Sequence, residues 1–160
     1  MSAGDSRHAV LYDGVAQPHT HWRLMPVASL GAGSGITPVK DTWYTVLDTN
    51  ILLRIKYVSI KHTNDEAAAK TCALRLTMDG ITLTNSATLN NNTWYYLRLS
   101  ESSDSVEFVT IGNMGKYISF DGRKVKLEAR TTSVIGTNPV LYSNVKYEKL
   151  VNPFNVEEIA

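Results

Sequence analysis

The clearest structural pattern of the chain lies in Leu52–Thr84, which reads LLRIKYVSIKHTNDEAAAKTCALRLTMDGITLT. In its second half, small, polar or charged residues alternate with an apolar set: Cys72, Leu74, Leu76 and Met78. A period of two is typical of a strand that packs one face on a core and turns the other to water. Asp79-Gly80 follows at once, and this pair tolerates the positive φ angles of a two-residue hairpin turn. The stretch therefore predicts antiparallel β-structure.

A second segment later in the chain repeats this design. Asp121-Gly122 precedes Val125, Leu127 and Ala129, which alternate with charged residues. The same turn chemistry predicts a second hairpin, centred on Asp121-Gly122.

Two segments inside Leu52–Thr84 depart from simple strand alternation. Leu53 and Ile55 share one phase, whereas Val58 and Ile60 have the opposite phase. Such a change predicts either a β-bulge near Tyr57-Val58 or a strand covered on both faces. The helix-forming run at residues 65–70 is too short for an isolated helix, so we expect at most one helical turn there.

The whole chain contains about eight or nine strand-like segments, joined by loops rich in Gly, Asn, Asp and Ser, without a long helical pattern. This spacing predicts an all-β fold, an antiparallel β-sandwich that is jelly-roll-like at this size. We divide the chain into an extended N-terminal arm and linker at residues 1–41, a β-sandwich domain at 42–150 and a C-terminal tail at 151–160.

Length and charge narrow the classes of function. A chain of 160 residues has the size of one domain. Sixteen Lys and Arg against fifteen Asp and Glu leave no basic excess, so we expect neither nucleic-acid nor membrane binding. The start of the sequence lacks a signal-peptide pattern, which predicts synthesis in the cytoplasm. Cys72, the one cysteine, lies on the apolar phase of its strand and is expected to be a buried small residue.

No segment carries a recognisable catalytic pattern. His19 and His21 form the one local pair suited to a metal, but zinc requires further ligands that nothing in the sequence supplies. Gly31–Gly35 resembles a phosphate loop only superficially, because no Lys-Ser/Thr and no helix follow it. We therefore predict no catalytic residue, no metal site and no cofactor, and a protein that is not an enzyme.

One surface feature stands out, in the segment WYYLRL. Strand alternation puts Tyr95, Leu97 and Leu99 on one face, and the opposite face then holds Trp94, Tyr96 and Arg98. Together with Trp43-Tyr44, these aromatic residues suit either a sugar-stacking surface or an oligomer interface. We favour the interface, because aromatic residues and arginine are enriched there.

Three segments resemble a known class of proteins. They are Thr42–Asp48 (TWYTVLD), Leu52–Ile55 (LLRI) and Leu74–Gly80 (LRLTMDG). They are similar to β-sandwich proteins of tailed-phage particles, in which a W-Y-T-V-L strand, a Leu/Ile-rich strand and an L-R-I-T-x-D-G hairpin recur in that order.

The resemblance implies a non-enzymatic structural protein of a virion, made in the host cytoplasm, either a capsid decoration or a tail component. It also implies a homo-oligomer, often a trimer, and we expect the terminal arms to bind other virion proteins. The alternative left open is a carbohydrate- or receptor-binding module that uses Trp94, Tyr96 and Arg98.

Overall fold

The computed structural model describes residues 10–12, 15–17, 20–99, 106–110, 120–133, 136–152 and 155–158. Within these ranges the chain forms β-strands, one 3₁₀ turn at Leu30–Gly33 and no α-helix. In chain order the strands are β1 (Val10–Tyr12), β2 (Val15–Gln17), β3 (His21–Leu24), β4 (Ala28–Ser29), β5 (Tyr44–Thr49), β6 (Leu53–Thr63), β7 (Lys70–Met78), β8 (Ile81–Leu89), β9 (Tyr95–Leu99), β10 (Val106–Thr110), β11 (Phe120–Gly122), β12 (Val125–Thr131), β13 (Val140–Asn152) and β14 (Asn155–Glu158).

Two antiparallel sheets form the body of the molecule. A four-stranded sheet has the order β5-β12-β7-β8. An eight-stranded sheet has the order β10-β9-β6-β13-β14, with β11 beside β6 and with β3 and β4 beside β13. The hairpins β7–β8 and β9–β10 each stay within one sheet, whereas the β5–β6, β6–β7, β8–β9 and β12–β13 connections cross between sheets. The predicted all-β antiparallel sandwich is confirmed.

The core lies between the two sheets and follows the predicted alternation. Cys72, Leu74 and Leu76 of β7 are buried, and they face buried residues of the other sheet such as Ile55 and Leu141. Burial of these side chains supplies the main stabilising term, about 25 cal/mol for each Å² of apolar surface removed from water.

The first predicted hairpin is confirmed, and the second is wrong. Asp79 and Gly80 form the two-residue loop between β7 and β8, with φ angles of 52° and 81°. Asp121 and Gly122 instead end β11, where they pair with β6. The turn into β12 comes one residue later, and Lys124 takes the positive φ there.

The predicted β-bulge is also confirmed. In the pairing of β6 with β13, Lys146 faces Tyr57 while Tyr147 faces Ile55, so Lys56 is the extra residue. An extra residue reverses the side-chain phase along β6. For this reason apolar residues on both phases of the sequence reach the same core.

The connection between β6 and β7 forms no helical turn, which agrees with the expectation of at most one such turn at residues 65–70. The Asn64 side chain closes this loop instead. Its amide donates to the Ala68 carbonyl at 2.9 Å, and its Oδ1 accepts from the Ala68 N–H at 2.9 Å. A side chain that bonds to the backbone in this way replaces the hydrogen bonds a helix would use.

Within the predicted N-terminal arm, residues 21–36 lie against the sandwich. The strands β3 and β4 pair along the edge of β13, and Ile36 forms a bridge with Leu141. Leu30, in the 3₁₀ turn between β4 and Ile36, is buried in the core cluster. These contacts add the N-terminal segment to the eight-stranded sheet.

Candidate interaction surface

The outer face of the eight-stranded sheet carries the aromatic residues of the WYYLRL segment. In β9, Leu97 is buried and Tyr95 packs on the core, as the alternation predicted. Tyr96 points the opposite way, and Trp94 lies on the same outer face, where each contacts a further tyrosine. The side chain of Arg98, the third predicted site residue, lies outside the described residues.

Tyr96 belongs to a pair of rings that spans two strands. Its ring centroid lies 6.0 Å from that of Tyr57 in β6, and the planes are inclined by 73°. This is the edge-to-face geometry that aromatic quadrupoles favour. Ser59, which pairs with Tyr96 in the sheet, is only 2% exposed although it lies on the outer side. The rings therefore form a cover over this part of the sheet.

Trp94 belongs to a second pair, which also holds a lysine. Its ring lies 6.1 Å from Tyr142 of β13, with an interplanar angle of 63°. The Lys61 ammonium lies 4.9 Å from the Trp94 centroid and 4.6 Å from the Tyr142 centroid. Such cation–π contacts contribute about 0.5–1 kcal/mol each at exposed sites. We call the surface formed by Tyr57, Lys61, Trp94, Tyr96 and Tyr142 the aromatic face.

Three members of the aromatic face were missed by the sequence reasoning: Tyr57, Lys61 and Tyr142. The side of the strand on which each residue lies could be predicted, because β6 and β13 both show alternation. The signal that was lacking is the pairing of β6 with both β9 and β13, which brings Tyr96 next to Tyr57 and Trp94 next to Tyr142.

Trp43 does not join this surface. It lies over the outer side of the other sheet, with the guanidinium of Arg75 4.3 Å and that of Arg130 4.4 Å from its ring centroid. Arg75 also donates two hydrogen bonds to the Glu128 carboxylate, at 2.9 and 2.8 Å. Those hydrogen bonds lower the pKa of Glu128. Trp43 therefore belongs to a separate charged cluster.

Among the described residues, Cys72 and His62 are buried groups with reactive side chains. Burial raises the pKa of the Cys72 thiol to about 12, so the nucleophilic thiolate does not form at neutral pH. His62 is buried as well, with Nε2 2.9 Å from the Leu89 carbonyl oxygen, and desolvation lowers its pKa. His19 lies outside the described residues, so its pairing with His21 stays a prediction.

A cavity of about 270 Å³ opens at the β7–β8 turn. Its wall is mainly apolar, with two carboxylates at the rim: Leu76, Met78, Ile81, Leu83, Asp79 and Asp121. Asp79 accepts a hydrogen bond from the Arg123 N–H, and Asp121 accepts two from Arg54. Both carboxylates are thus engaged in contacts that hold the fold together.

No protein-family model and no curated protein matches the sequence. In the part of the chain that the structure describes, no three His, Cys, Asp or Glu side chains are grouped so as to hold a metal ion. Over the same residues, no helix has the length and apolar character to cross a membrane.

Proposed function

We propose that this chain is a non-catalytic structural subunit of a phage or virus particle, a capsid decoration or tail protein. It forms homo-oligomers and binds other particle proteins through its terminal segments. The observation that carries the proposal is the aromatic face, a preformed layer of rings on the outside of a β-sheet. The resemblance of residues 42–48, 52–55 and 74–80 to tailed-phage proteins is the reason for proposing a particle.

The composition of the aromatic face suits contact with a protein. Tyrosine and tryptophan dominate binding energy at interfaces because they bury a large area with few rotatable bonds. Here Tyr57 braces Tyr96, and Tyr142 braces Trp94, in edge-to-face pairs. Rings that are already held by their neighbours lose little further freedom on binding, which reduces the entropic cost of association.

Strands near both ends of the chain pair with the same end of β13. His21 of β3 pairs with Val151 of β13, and β14 pairs with residues 151–152. Residue 20 and β14 are therefore close to each other at this end of β13. Terminal segments joined to these two strands suit a joint attachment to a neighbouring particle protein.

The test is the protein composition of particles. Particles purified on a density gradient from the organism that encodes the chain should contain it in a fixed ratio to the major shell protein, as measured by quantitative mass spectrometry. Absence of the chain from every particle fraction would refute the proposal.

A truncation then tests the terminal segments. Deleting residues 1–19 spares β3, β4 and the buried Leu30, so the sandwich should keep its thermal stability while incorporation into particles falls. Incorporation equal to that of the full chain would contradict a role for the N-terminal segment.

A second candidate function is a carbohydrate- or receptor-binding module, favoured by the position of Trp94 and Tyr96 on one outer face. A glycan array should then give binding that is lost in Trp94→Ala and kept in Trp43→Ala, since Trp43 belongs to the other sheet. An array without any hit, or equal loss in both variants, would remove this candidate.

A further inference from the structure

Arg130 of β12 lies on the outer side of the four-stranded sheet, and no carboxylate of the described residues binds it. Its guanidinium stacks on the Trp43 ring, 4.4 Å from the centroid, and its buried Nε has no hydrogen-bond partner. Arg54 and Arg75 differ, since each donates two hydrogen bonds to a carboxylate. A guanidinium is always charged and has five N–H donors. Because Arg130 is half-buried with its Nε enclosed, the two terminal nitrogens are its accessible donors.

A second arginine is held beside Arg130. Glu128 pairs with Arg75 and Arg130 pairs with Ala73 in the sheet, so the two arginines are diagonal neighbours on adjacent strands. Both guanidiniums lie over the Trp43 ring, and Arg75 binds Glu128 through Nε and Nη2. Ala73, on the same outer side, is only 1% exposed, so larger side chains lie across the sheet there. Side chains that are held before a ligand arrives reduce the entropic cost of binding it.

Positive charge predominates on this outer face. The outward charged residues of β5, β7 and β12, with the turn residue before β12, are four cations and two carboxylates: Arg75, Lys124, Lys126, Arg130, Asp48 and Glu128. They leave an excess of two positive charges, although the whole chain has a net charge of +1. The loop before Trp43 adds one charge of each sign, Lys40 and Asp41. Lys124 and Lys126 also line a polar groove of about 510 Å³ at one end of this face.

The chemistry of this face favours a ligand with carboxylates. A guanidinium matches the paired oxygens of a carboxylate or a phosphate. Nucleic acid commonly uses about six to ten phosphate contacts, and an excess of two charges is too small for that. A neutral sugar needs an open aromatic ring to stack on, whereas two guanidiniums already lie over Trp43. An acidic protein segment with two carboxylates matches both the guanidinium and the charge.

We propose that the outer face of the four-stranded sheet binds an acidic peptide segment of a partner protein. One carboxylate of the segment binds the terminal nitrogens of Arg130, and a second lies at the groove beside Lys124 and Lys126. Arg130 and Lys126 are both on β12, so the two carboxylates are roughly 13 Å apart, which about four residues of an extended peptide span. This site is on the opposite sheet from the aromatic face and does not depend on the particle function.

Isothermal titration calorimetry with hexaglutamate, capped at both ends, tests the site. The wild-type chain should bind this probe, and Arg130→Gln should weaken binding at least roughly tenfold, because a charge-assisted contact is lost. Arg23→Gln removes the same charge from an exposed position on β3, in the other sheet, and should leave the affinity unchanged. A wild type that does not bind, an equal loss in the control, or full affinity in Arg130→Gln would overturn the proposal.

A conservative variant separates the guanidinium from charge in general. Arg130→Lys keeps the positive charge and the aliphatic stem, so it tests the site even if Arg130→Gln fails to fold. It should bind hexaglutamate several-fold more weakly than the wild type, because an ammonium cannot hold both carboxylate oxygens in one plane. Full affinity in Arg130→Lys would contradict the assignment of the contact to the guanidinium.

Two other anionic probes identify the class of ligand. A six-nucleotide oligothymidylate carries phosphates, and sialyllactose carries a carboxylate on a sugar; both should bind more weakly than hexaglutamate. Tighter binding of oligothymidylate would assign the site to phosphates, and tighter binding of sialyllactose would assign it to an acidic sugar. Either result would overturn the proposal of a peptide partner. Binding of hexaglutamate by a chain that is absent from particles would support this site and refute only the particle function.

Discussion

Asp79-Gly80 and Asp121-Gly122 are the same dipeptide in two different structures. The first is a two-residue turn with both residues at positive φ, whereas the second ends β11 as a paired strand. Asp121 is held by two hydrogen bonds from Arg54, and Gly122 is buried. An Asp-Gly pair therefore permits a tight turn, and the partners around it decide whether one forms.

The two dipeptides also lie against each other. The Asp79 carboxylate accepts from the Arg123 N–H at 2.7 Å, and the Asp79 N–H donates to the Arg123 carbonyl at 2.9 Å. A Cβ at Gly122 would lie 2.6 Å from the Met78 methyl carbon, while one at Gly80 would meet nothing within 4 Å. A side chain at Gly122 would thus have to displace the end of the flexible Met78 side chain, whereas at Gly80 only the backbone angle opposes one.

The largest expected effect tests whether burial sets the strength of two Arg–carboxylate pairs, Arg75–Glu128 and Arg54–Asp121. The Glu128 side chain is 8% exposed, whereas that of Asp121 is 46% exposed. Glu128→Gln should therefore reduce the free energy of unfolding by about 2–3 kcal/mol, because hydrogen bonds to a buried charge are the strong ones. Urea unfolding measures the change, and a loss no larger than that of Asp121→Asn would contradict the role of burial.

The same pair predicts a pH dependence. The pKa of Glu128 lies below its ordinary value of 4.5 because Arg75 hydrogen-bonds to the ionised form. The unfolded chain therefore takes up the proton first, and this stability is present above pH 4.5 and lost as the pH falls through the folded pKa. Between pH 6 and pH 2, the free energy of unfolding should fall less steeply for Glu128→Gln than for the wild type. An unchanged slope would exclude this carboxylate as a source of acid sensitivity.

Gly122→Ala tests the requirement for space. We expect a loss of about 1 kcal/mol in urea unfolding, because the added methyl group overpacks the contact with Met78 but the end of that flexible side chain can shift. Truncating that neighbour in Met78→Ala should reduce the additional cost of Gly122→Ala, which a double-mutant cycle measures. Equal costs in both backgrounds would show that the two side chains do not compete for this space.

Gly80→Ala tests the requirement for backbone freedom. A φ of 81° is unfavourable for alanine, so we expect a loss of about 1 kcal/mol. Since nothing lies near the new methyl group, the loss should be the same in the Met78→Ala background. A cost that depends on Met78 would remove the distinction between the two glycines.

The smallest effect belongs to the half-exposed ion pair. Asp121→Asn should cost about 0.2–1 kcal/mol, because solvent screens the attraction between Arg54 and Asp121. In 1 M NaCl the difference from wild type should shrink, since the screening length falls to about 3 Å. A loss that is insensitive to salt would show that hydrogen-bond geometry, and not charge, gives the pair its strength.

Much of the fold was predictable because its causes are local. Alternation along β7 places Cys72, Leu74 and Leu76 in the core, and the phase change in β6 marks the bulge. The orientation of Tyr95 and Leu97 followed from the same period of two. Each of these features depends on neighbours within a few residues along the sequence.

The rest depended on pairing between distant segments. Helix propensity at residues 65–70 was overridden by the Asn64 side chain, which closes the loop with its own hydrogen bonds. The aromatic face required β6 to lie between β9 and β13, and Trp43 was drawn to Arg75 and Arg130 on the opposite sheet. No local period encodes which strands become neighbours.

By itself, the sequence determined the β class, the inward residues of its clearest strands and the turn at Asp79-Gly80, because side-chain alternation and φ preference act over a few bonds. Only the tertiary structure decided that Asp121-Gly122 stays extended and which rings share the aromatic face. Those outcomes depend on contacts between segments tens of residues apart, where the hydrogen bonds and packing of the assembled sheets outweigh local preference.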